Sequence, residues 1–198
     1  MISFPGLFLN IFNHTVGLEG GYSDDKHDSG GKTNHGVAWE YDKDYLIEEG
    51  IFHEDDMKNL SLDTARAVHY KKYWIGWKFY LLEDLPLTVK VVYDFGFHEG
   101  KYGWMAFQKA YGLITGKHIS IDGACGPQTM GAINDLCTLV KGYPKICLND
   151  ENFAKLVDCI RGMYMIEILF EQDKLKMPIE KAMTYLNSGI RRTGLVNG

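Results

Sequence analysis

The sequence predicts a mainly helical protein with a small glycine-rich hairpin region near its N-terminus. Apolar residues recur at helical spacing in several segments of the 198-residue chain. Between the first two of these segments, residues 20–36 contain five glycines and three aspartates. Glycines at this density form tight turns and let the backbone approach a ligand closely. At 45% hydrophobic residues the chain can bury a core, as one domain or as one domain with a small appendage.

The first helix is predicted from apolar positions at helical spacing, which are Leu7, Ile11, Thr15 and Leu18. This N-terminus is apolar, but it has no lysine or arginine before His14 and no small-residue cleavage site, and Pro5 interrupts it. We therefore expect no signal peptide. No stretch reaches the roughly 20 apolar residues of a membrane span, so membrane insertion is not expected.

Three further helices are predicted over residues 39–49, residues 62–74 and from Pro86 onward. Ser61 precedes the second of them, where its hydroxyl can accept a hydrogen bond from the first turn. Pro86 suits the first position of a helix because its φ angle is preset and it needs no N–H acceptor. Asp94 lies among aromatic residues in this helix, and a buried carboxylate requires partners, so we predict a structural role for it.

The second half of the chain is predicted to open with a loop over residues 112–126. Gly123 and Gly126 form its last turn, and Pro127 then begins a helix. The apolar stripe of that helix is predicted to face the core: Met130, Ile133, Leu136, Cys137 and Val140. Two more helices are expected, over residues 150–170 and 178–190.

Charge and cysteine content restrict the class of protein. A net charge of −5 argues against a nucleic-acid-binding protein that works by neutralising phosphates. The four cysteines form no CxxC pair, and Cys137 and Cys159 are predicted to be buried free thiols, as expected for folding in a reducing cytoplasm. The seven histidines show no ligand spacing, so we expect no metal and no cofactor, which disfavours a zinc amidase or peptidase.

The segment that begins at Glu19-Gly20-Gly21-Tyr22 is the most informative in the chain. Glu19 stands at the predicted end of the first helix, where packing can desolvate it and raise its pKa towards that of a proton donor. Asp28, nine residues on, can return across a short hairpin to share one cleft with it. Paired carboxylates of this kind cleave glycosidic bonds. The four residues Glu-Gly-Gly-Tyr by themselves are also typical of an ordinary helix C-terminus without catalytic function.

These residues resemble glycoside hydrolase family 108, a group of bacterial and phage N-acetylmuramidases with a lysozyme-like α+β fold. The family joins a helix ending in Glu-Gly-Gly-Tyr to a loop of the type Asn-Asp-Pro-Gly-Gly-x-Thr-Asn-x-Gly. Here the loop has Ser29 where proline is usual. Phage-type lysozymes are similar too, although Thr33 lies fourteen residues after Glu19 where they have fifteen. The turn over residues 121–129 resembles the predicted peptidoglycan-binding region that accompanies the family.

The resemblance implies a peptidoglycan hydrolase that cleaves the β-1,4 bond between N-acetylmuramic acid and N-acetylglucosamine by general acid–base catalysis. Glu19 is then the catalytic acid, Asp28 or Asp25 orients or activates a water, and Thr33 helps to hold that water. The expected sugar contacts are Tyr22, Asn34 and His35. The stereochemical outcome stays open, because inversion needs carboxyl groups about 6.5–9.5 Å apart and retention about 5–5.5 Å.

The same resemblance implies a catalytic region over residues 1–100 and a helical peptidoglycan-binding region over 101–198, packed as one compact unit. The expected partner is the peptidoglycan glycan strand, and the expected state is a monomer. Without a signal peptide, an endolysin of this kind needs a holin or a secretion system to reach the periplasm or cell wall. Two alternatives remain open: a non-catalytic peptidoglycan-binding or secretion-accessory protein, and a lytic transglycosylase.

Overall fold

The computed structural model describes residues 3–17, 21–24, 30–142 and 148–173. The chain divides into two compact units, Met1–Tyr80 and Leu81–Gly198. In the described residues, α-helices dominate and the only sheet has two short strands. The prediction of a mainly helical chain with a small hairpin is confirmed. Among these residues, no helix combines the length and the apolar character that crossing a membrane requires.

Helix α1, Gly6–Gly17, carries much of the core of the first unit. Its buried side chains fall on one face, as its helical spacing predicts: Phe8, Ile11, Phe12, Thr15 and Val16. The Phe8 ring lies 5.1 Å from the Tyr70 ring and 5.6 Å from the Trp74 ring, centroid to centroid. Leu18, which was predicted to continue this face, lies outside the described residues.

Two strands, β1 (Thr33–Asn34) and β2 (Val37–Ala38), pair antiparallel in a hairpin. The two residues between them have positive φ angles, 50° at His35 and 72° at Gly36. Positive φ at both central residues matches the twist of the flanking strands, which is why such turns close short hairpins. A bridge between Ser23 and Thr33 adds the preceding segment to the other edge of β1.

The rest of the first unit is helical. Helix α2 is Trp39–Glu48, a 3₁₀ helix follows over Glu54–Asn59, and helix α3 is Leu62–His69. The predicted cap is present, since the Thr64 amide donates to Ser61 Oγ at 3.0 Å. Beyond α3 the chain continues as a π-helix over Tyr70–Gly76, so the helix predicted over 62–74 exists but changes its hydrogen-bond pattern midway.

The second unit contains helices α4 (Pro86–Glu99), α5 (Tyr102–Thr115), α6 (Pro127–Gly142) and α7 (Asp150–Asp173). Pro86 and Pro127 begin helices, as predicted. Helices α4, α5 and α7 pack on one another. Their shared core is made of aliphatic and aromatic side chains that include Val89, Val92, Phe95, Phe107, Phe153, Val157 and Ile160.

Several finer predictions for the second unit are wrong. The loop expected from residue 112 begins later, because α5 continues through Gly112 and ends at Thr115. Gly116 follows as the C-cap, with a left-handed φ of 68°. Met130 is 38% exposed, so the apolar stripe of α6 is only partly core. Cys159 is exposed and Cys137 only half-buried, although both thiols are free. The helix predicted over 178–190 lies outside the described residues.

Candidate functional site

The predicted site residues divide into two groups. Glu19, Asp25 and Asp28 lie outside the described residues. Tyr22, Thr33, Asn34 and His35 are described, and all four belong to the hairpin region of the first unit.

Segment 21–24, which begins two residues after Glu19 in the sequence, runs alongside strand β1. The Ser23 amide donates to the Thr33 carbonyl at 2.8 Å, and the Thr33 amide donates to the Ser23 carbonyl at 3.0 Å. This reciprocal pair fixes Tyr22 and Ser23 against the strand that carries Thr33 and Asn34. The predicted tyrosine, threonine and asparagine are therefore brought together by backbone hydrogen bonds.

Tyr22 keeps its side chain in contact with solvent, at 37% exposure. Partial desolvation raises the pKa of its phenol, and the carboxylate of Asp24 raises it further. The phenol therefore stays protonated at neutral pH and can donate a hydrogen bond. An exposed aromatic ring with a polar end is able to stack on a sugar face and also bind its hydroxyls.

Thr33 and Asn34 are turned towards the protein backbone. Thr33 Oγ1 donates to the Gly31 carbonyl at 3.2 Å. Asn34 is 5% exposed, and its Nδ2 donates to the Met57 carbonyl at 2.9 Å and to the Lys58 carbonyl at 3.4 Å. The amide of Asn34 thus anchors the hairpin to the 3₁₀ helix. Its predicted contact with a sugar stays a prediction.

His35 occupies the tip of the hairpin, at the first of the two positive-φ positions. Its side chain is half-buried. A non-glycine residue in this conformation is uncommon and costs some free energy. The geometry of the turn and the anchoring of the preceding residue, Asn34, offset that cost. The tip is therefore a defined position for an imidazole, and its role as a sugar contact stays a prediction.

Sequence reasoning missed Lys32 and its acidic neighbours. The Lys32 ammonium pairs with Asp55 Oδ1, and the Lys32 amide donates to Glu54 Oε1 at 3.4 Å. Both acids belong to the 3₁₀ helix Glu54–Asn59, more than twenty residues away in the sequence. No local spacing links the two segments. The only available signal was the acidic run at 54–56, which a solvated surface would explain equally well.

Gly31 shows why the loop before β1 needs glycine. Its φ of 67° lies in the left-handed region, and a Cβ there would lie 3.3 Å from Glu40 Cγ and 3.4 Å from Glu54 Oε1. The Glu40 amide also donates to the Gly30 carbonyl at 3.1 Å. The loop is thus packed closely between α2 and the 3₁₀ helix.

Asp94 has the structural environment that its sequence context predicts, within the second unit. The Asp94 carboxylate is buried and accepts from Arg161 Nη2 at 2.8 Å, with His98 Nε2 3.6 Å away. Burial by itself would raise the pKa of Asp94, but His98 and the Arg161 guanidinium outweigh it and hold the pKa well below its usual range. The sequence predicted that this carboxylate has partners, but it did not point to Arg161.

The turn that resembles a peptidoglycan-binding motif is organised around the buried side chain of Gln108. Gln108 Nε2 donates to Asp122 Oδ1 at 2.8 Å and to Thr129 Oγ1 at 3.0 Å, and its Oε1 accepts from the Gly123 amide at 2.9 Å. Beside this turn lies a groove of about 350 Å³, lined in part by Lys109, Leu113 and Lys117. The polar residues of the motif thus have internal partners, while Gln108 and Ile121 also line the groove.

Comparison with known proteins supports the family resemblance of the N-terminal half. Residues 12–100, which include the Glu19 motif and the hairpin, match the family model described as Glycosyl hydrolase 108. Among solved structures, the structure of Brucella abortus SagA is similar, with a TM-score of 0.57 and 18% sequence identity, over 98% of this chain and 99% of that one. At that identity the likeness shows the fold alone. No curated protein sequence matches the chain. Residues 12–100 therefore match the family that the motifs predict, and the chain is a mainly helical, lysozyme-like glycoside hydrolase.

Proposed function

We propose that the protein hydrolyses the β-1,4 bond between N-acetylmuramic acid and N-acetylglucosamine in peptidoglycan. The observation that carries the proposal is the family match over residues 12–100, since that segment contains Glu19, Asp28 and the hairpin in one block. The partner of the protein is the glycan strand of the cell wall, which the protein meets after export by a holin or a secretion system. It acts there as a monomer.

Glu19 is the proposed general acid. It protonates the glycosidic oxygen of the leaving sugar, a step that requires a carboxyl group kept neutral near pH 7. Asp28, or Asp25 in its place, activates the attacking water as the general base. If both carboxyl groups flank the bond at about 6.5–9.5 Å, the product has inverted configuration.

Thr33 is the proposed support for the attacking water. Its hydroxyl hydrogen is directed to the Gly31 carbonyl. The lone pairs of Oγ1 are then available to accept a hydrogen bond from a water molecule. Tyr22 and His35 line the same hairpin region and are the proposed sugar contacts. Asn34 contributes by holding the hairpin, and its carbonyl oxygen is the part of the side chain proposed to accept from a sugar hydroxyl.

The first prediction concerns Glu19. The Glu19→Gln variant removes the proton donor but keeps the side-chain size, so we expect it to lose at least about 10²-fold in rate while the fold persists. The measurement is mass spectrometry of the muropeptides released from purified peptidoglycan. Glu83→Gln, at an exposed glutamate of the second unit, is the matched control and should retain activity. Full activity of Glu19→Gln would refute the assignment of the acid.

The same experiment separates the alternatives. Muropeptides with reducing ends identify a hydrolase, whereas anhydro-muropeptides, lighter by one water, identify a lytic transglycosylase. If neither wild type nor variant releases products but both still sediment with cell walls, the protein is a peptidoglycan-binding protein without hydrolytic activity. Loss of activity on adding a chelator would support the zinc amidase alternative.

A further inference from the structure

Lys32 occupies a position in the hairpin region that neither the motif nor the family match explains. We propose that the Lys32 ammonium binds a carboxylate of the substrate, and that this carboxylate takes the place of Asp55. The proposal rests on the proposed function, since peptidoglycan strands carry carboxylates on their stem peptides, and on the lactyl group where no peptide is attached. It assigns Lys32 to substrate binding and Asp55 to a competing internal ligand.

The backbone of Lys32 is fixed on both sides. Its amide donates to Glu54 Oε1 at 3.4 Å, and its carbonyl accepts from the Trp39 amide at 3.0 Å. The next residue, Thr33, is tied to Ser23 by the reciprocal backbone pair. The side chain of Lys32 is only 17% exposed, so its aliphatic part is packed. The ammonium is therefore held in one place, on the residue that directly precedes Thr33, the proposed support for the attacking water.

Asp55, the present partner of that ammonium, is an exchangeable one. Its side chain is 89% exposed, so it stays well solvated when the pair opens. Ion pairs with so exposed a partner contribute little net free energy, because water replaces the lost contact. A substrate carboxylate loses much less entropy on binding Lys32 than a free ion does, because sugar contacts already hold the substrate in place. It can therefore displace Asp55.

The charges around Lys32 explain why a carboxylate is the ligand. The hydrogen bond that the Lys32 ammonium donates to Asp55 raises the pKa of Lys32. Burial lowers that pKa in part, and the charges of Asp55 and Glu54 raise it further, so the ammonium is charged at neutral pH. Lys32 is the sole lysine or arginine in the described residues 21–24 and 30–38. In a chain of net charge −5, a substrate that brings a carboxylate to this region needs such a local cation.

The test compares native peptidoglycan with the same peptidoglycan after its carboxylates are converted to neutral amides with a carbodiimide and methylamine. Binding is measured by co-sedimentation, as the ratio of affinity for the native form to affinity for the amidated form. We expect Lys32→Met to lower this ratio about tenfold, the value of one charged hydrogen bond, and Lys32→Arg to retain most of it. Asp55→Asn should raise affinity for native peptidoglycan about threefold, because the competitor is gone.

The contrary outcomes are equally specific. If Lys32→Met weakens binding to native and amidated peptidoglycan to the same extent while its melting temperature stays that of wild type, Lys32 only supports the loop and the proposal fails. If Asp55→Asn lowers affinity for native peptidoglycan, Asp55 is a support for Lys32 and not a competitor. Because the readout is binding, it also tests Lys32 if mass spectrometry shows that the wild type releases no muropeptides.

Discussion

Arg161 is the residue around which the buried charges of the second unit are arranged. Its side chain is 3% exposed and pairs with Asp94, which is 5% exposed. Its guanidinium also lies over the Phe95 ring, 5.3 Å from the ring centroid. A buried pair of this kind is costly to break from one side, because the remaining charge is left without a partner in a poorly solvated place. The sequence indicated a buried, structural Asp94, but no local pattern connects it to an arginine on α7.

Removing Arg161 should therefore destabilise the protein strongly. We expect Arg161→Met to lower the free energy of unfolding by about 3–5 kcal/mol, measured by urea denaturation at pH 7. Arg66→Met is the matched control, since Arg66 pairs with an exposed Asp63 and its loss should cost much less. A second change, Asp94→Asn, should restore part of the stability of Arg161→Met. Equal effects at Arg161 and Arg66 would contradict this account.

Asp158, near the same arginine, gives a prediction in pH. Burial raises the pKa of Asp158 to about 7, against the lowering effect of Arg161 and with a further rise from Asp94. Within the described part of the chain, its Oδ1 has no hydrogen-bond partner. The unfolded chain ionises this group above about pH 4. Between these two values the folded protein holds one more proton than the unfolded chain, so its stability falls as pH rises.

Asp158→Asn should remove that dependence. Below about pH 4 the carboxyl is protonated in both states, so variant and wild type should have similar unfolding free energies. Between about pH 4 and pH 7 the unfolding free energy of the variant should rise above that of the wild type, by roughly 1 kcal/mol or more. Above pH 7 the difference between the two free energies should stay constant. Urea denaturation at several pH values measures it. A gap that shrinks towards pH 7 would show that the charged form is the one stabilised in the folded protein.

At the level of elements, the contact between α4 and α5 depends on glycine. A Cβ on Gly103 would lie 2.5 Å from the Val92 carbonyl oxygen and 2.7 Å from the Gly96 Cα. Both obstacles are backbone atoms, which a rotamer change cannot relieve. The two helices thus approach until their backbones touch, and α7 packs on both.

Gly103→Ala should therefore destabilise the second unit by about 1–3 kcal/mol through overpacking. The matched control is Gly131→Ala on α6, where a Cβ meets nothing within 4 Å. There the added methyl group should stabilise the helix by about 0.5–1 kcal/mol, because alanine restricts the unfolded chain more than glycine does. Thermal melts of the two variants should shift in opposite directions. A shift of the same sign would mean that backbone contact at Gly103 is not limiting.

The helices also show what could be predicted from sequence at this scale. Helix starts were predictable because they depend on local chemistry: the Ser61 hydroxyl caps α3, and prolines open α4 and α6. The end of α5 could not be predicted, because Gly112 and Gly116 are both glycines and only Gly116 adopts a left-handed φ. Pairings between distant segments, such as Lys32 with Asp55, leave no local trace and were missed.

On the scale of the whole molecule, two boundaries differ by twenty residues. The family match extends to residue 100, whereas the first compact unit ends at Tyr80 and helix α4 belongs to the second. The predicted catalytic region over 1–100 and binding region over 101–198 stay a proposal. Helix α4 is the segment at issue, because it lies within the family match yet packs on α5 and α7.

Two fragments would distinguish these boundaries. The fragment 81–198 keeps α4 and its buried Val89, Val92 and Phe95, so we expect it to be helical and to melt cooperatively by circular dichroism. The fragment 101–198 lacks α4 and would expose the faces of α5 and α7 that α4 covers, so we expect a less cooperative transition or aggregation. Equally cooperative melting of both would favour the boundary at residue 100.

The anchoring of Asn34 also bears on how the protein ages. Its side-chain nitrogen donates to two main-chain carbonyls of the 3₁₀ helix. Hydrolysis of that amide to aspartate would exchange two donors for a carboxylate facing two oxygens, and attraction would become repulsion. A single deamidation would then detach the hairpin from its support, and a stored sample would lose function while its helices, and hence its far-ultraviolet spectrum, stayed intact.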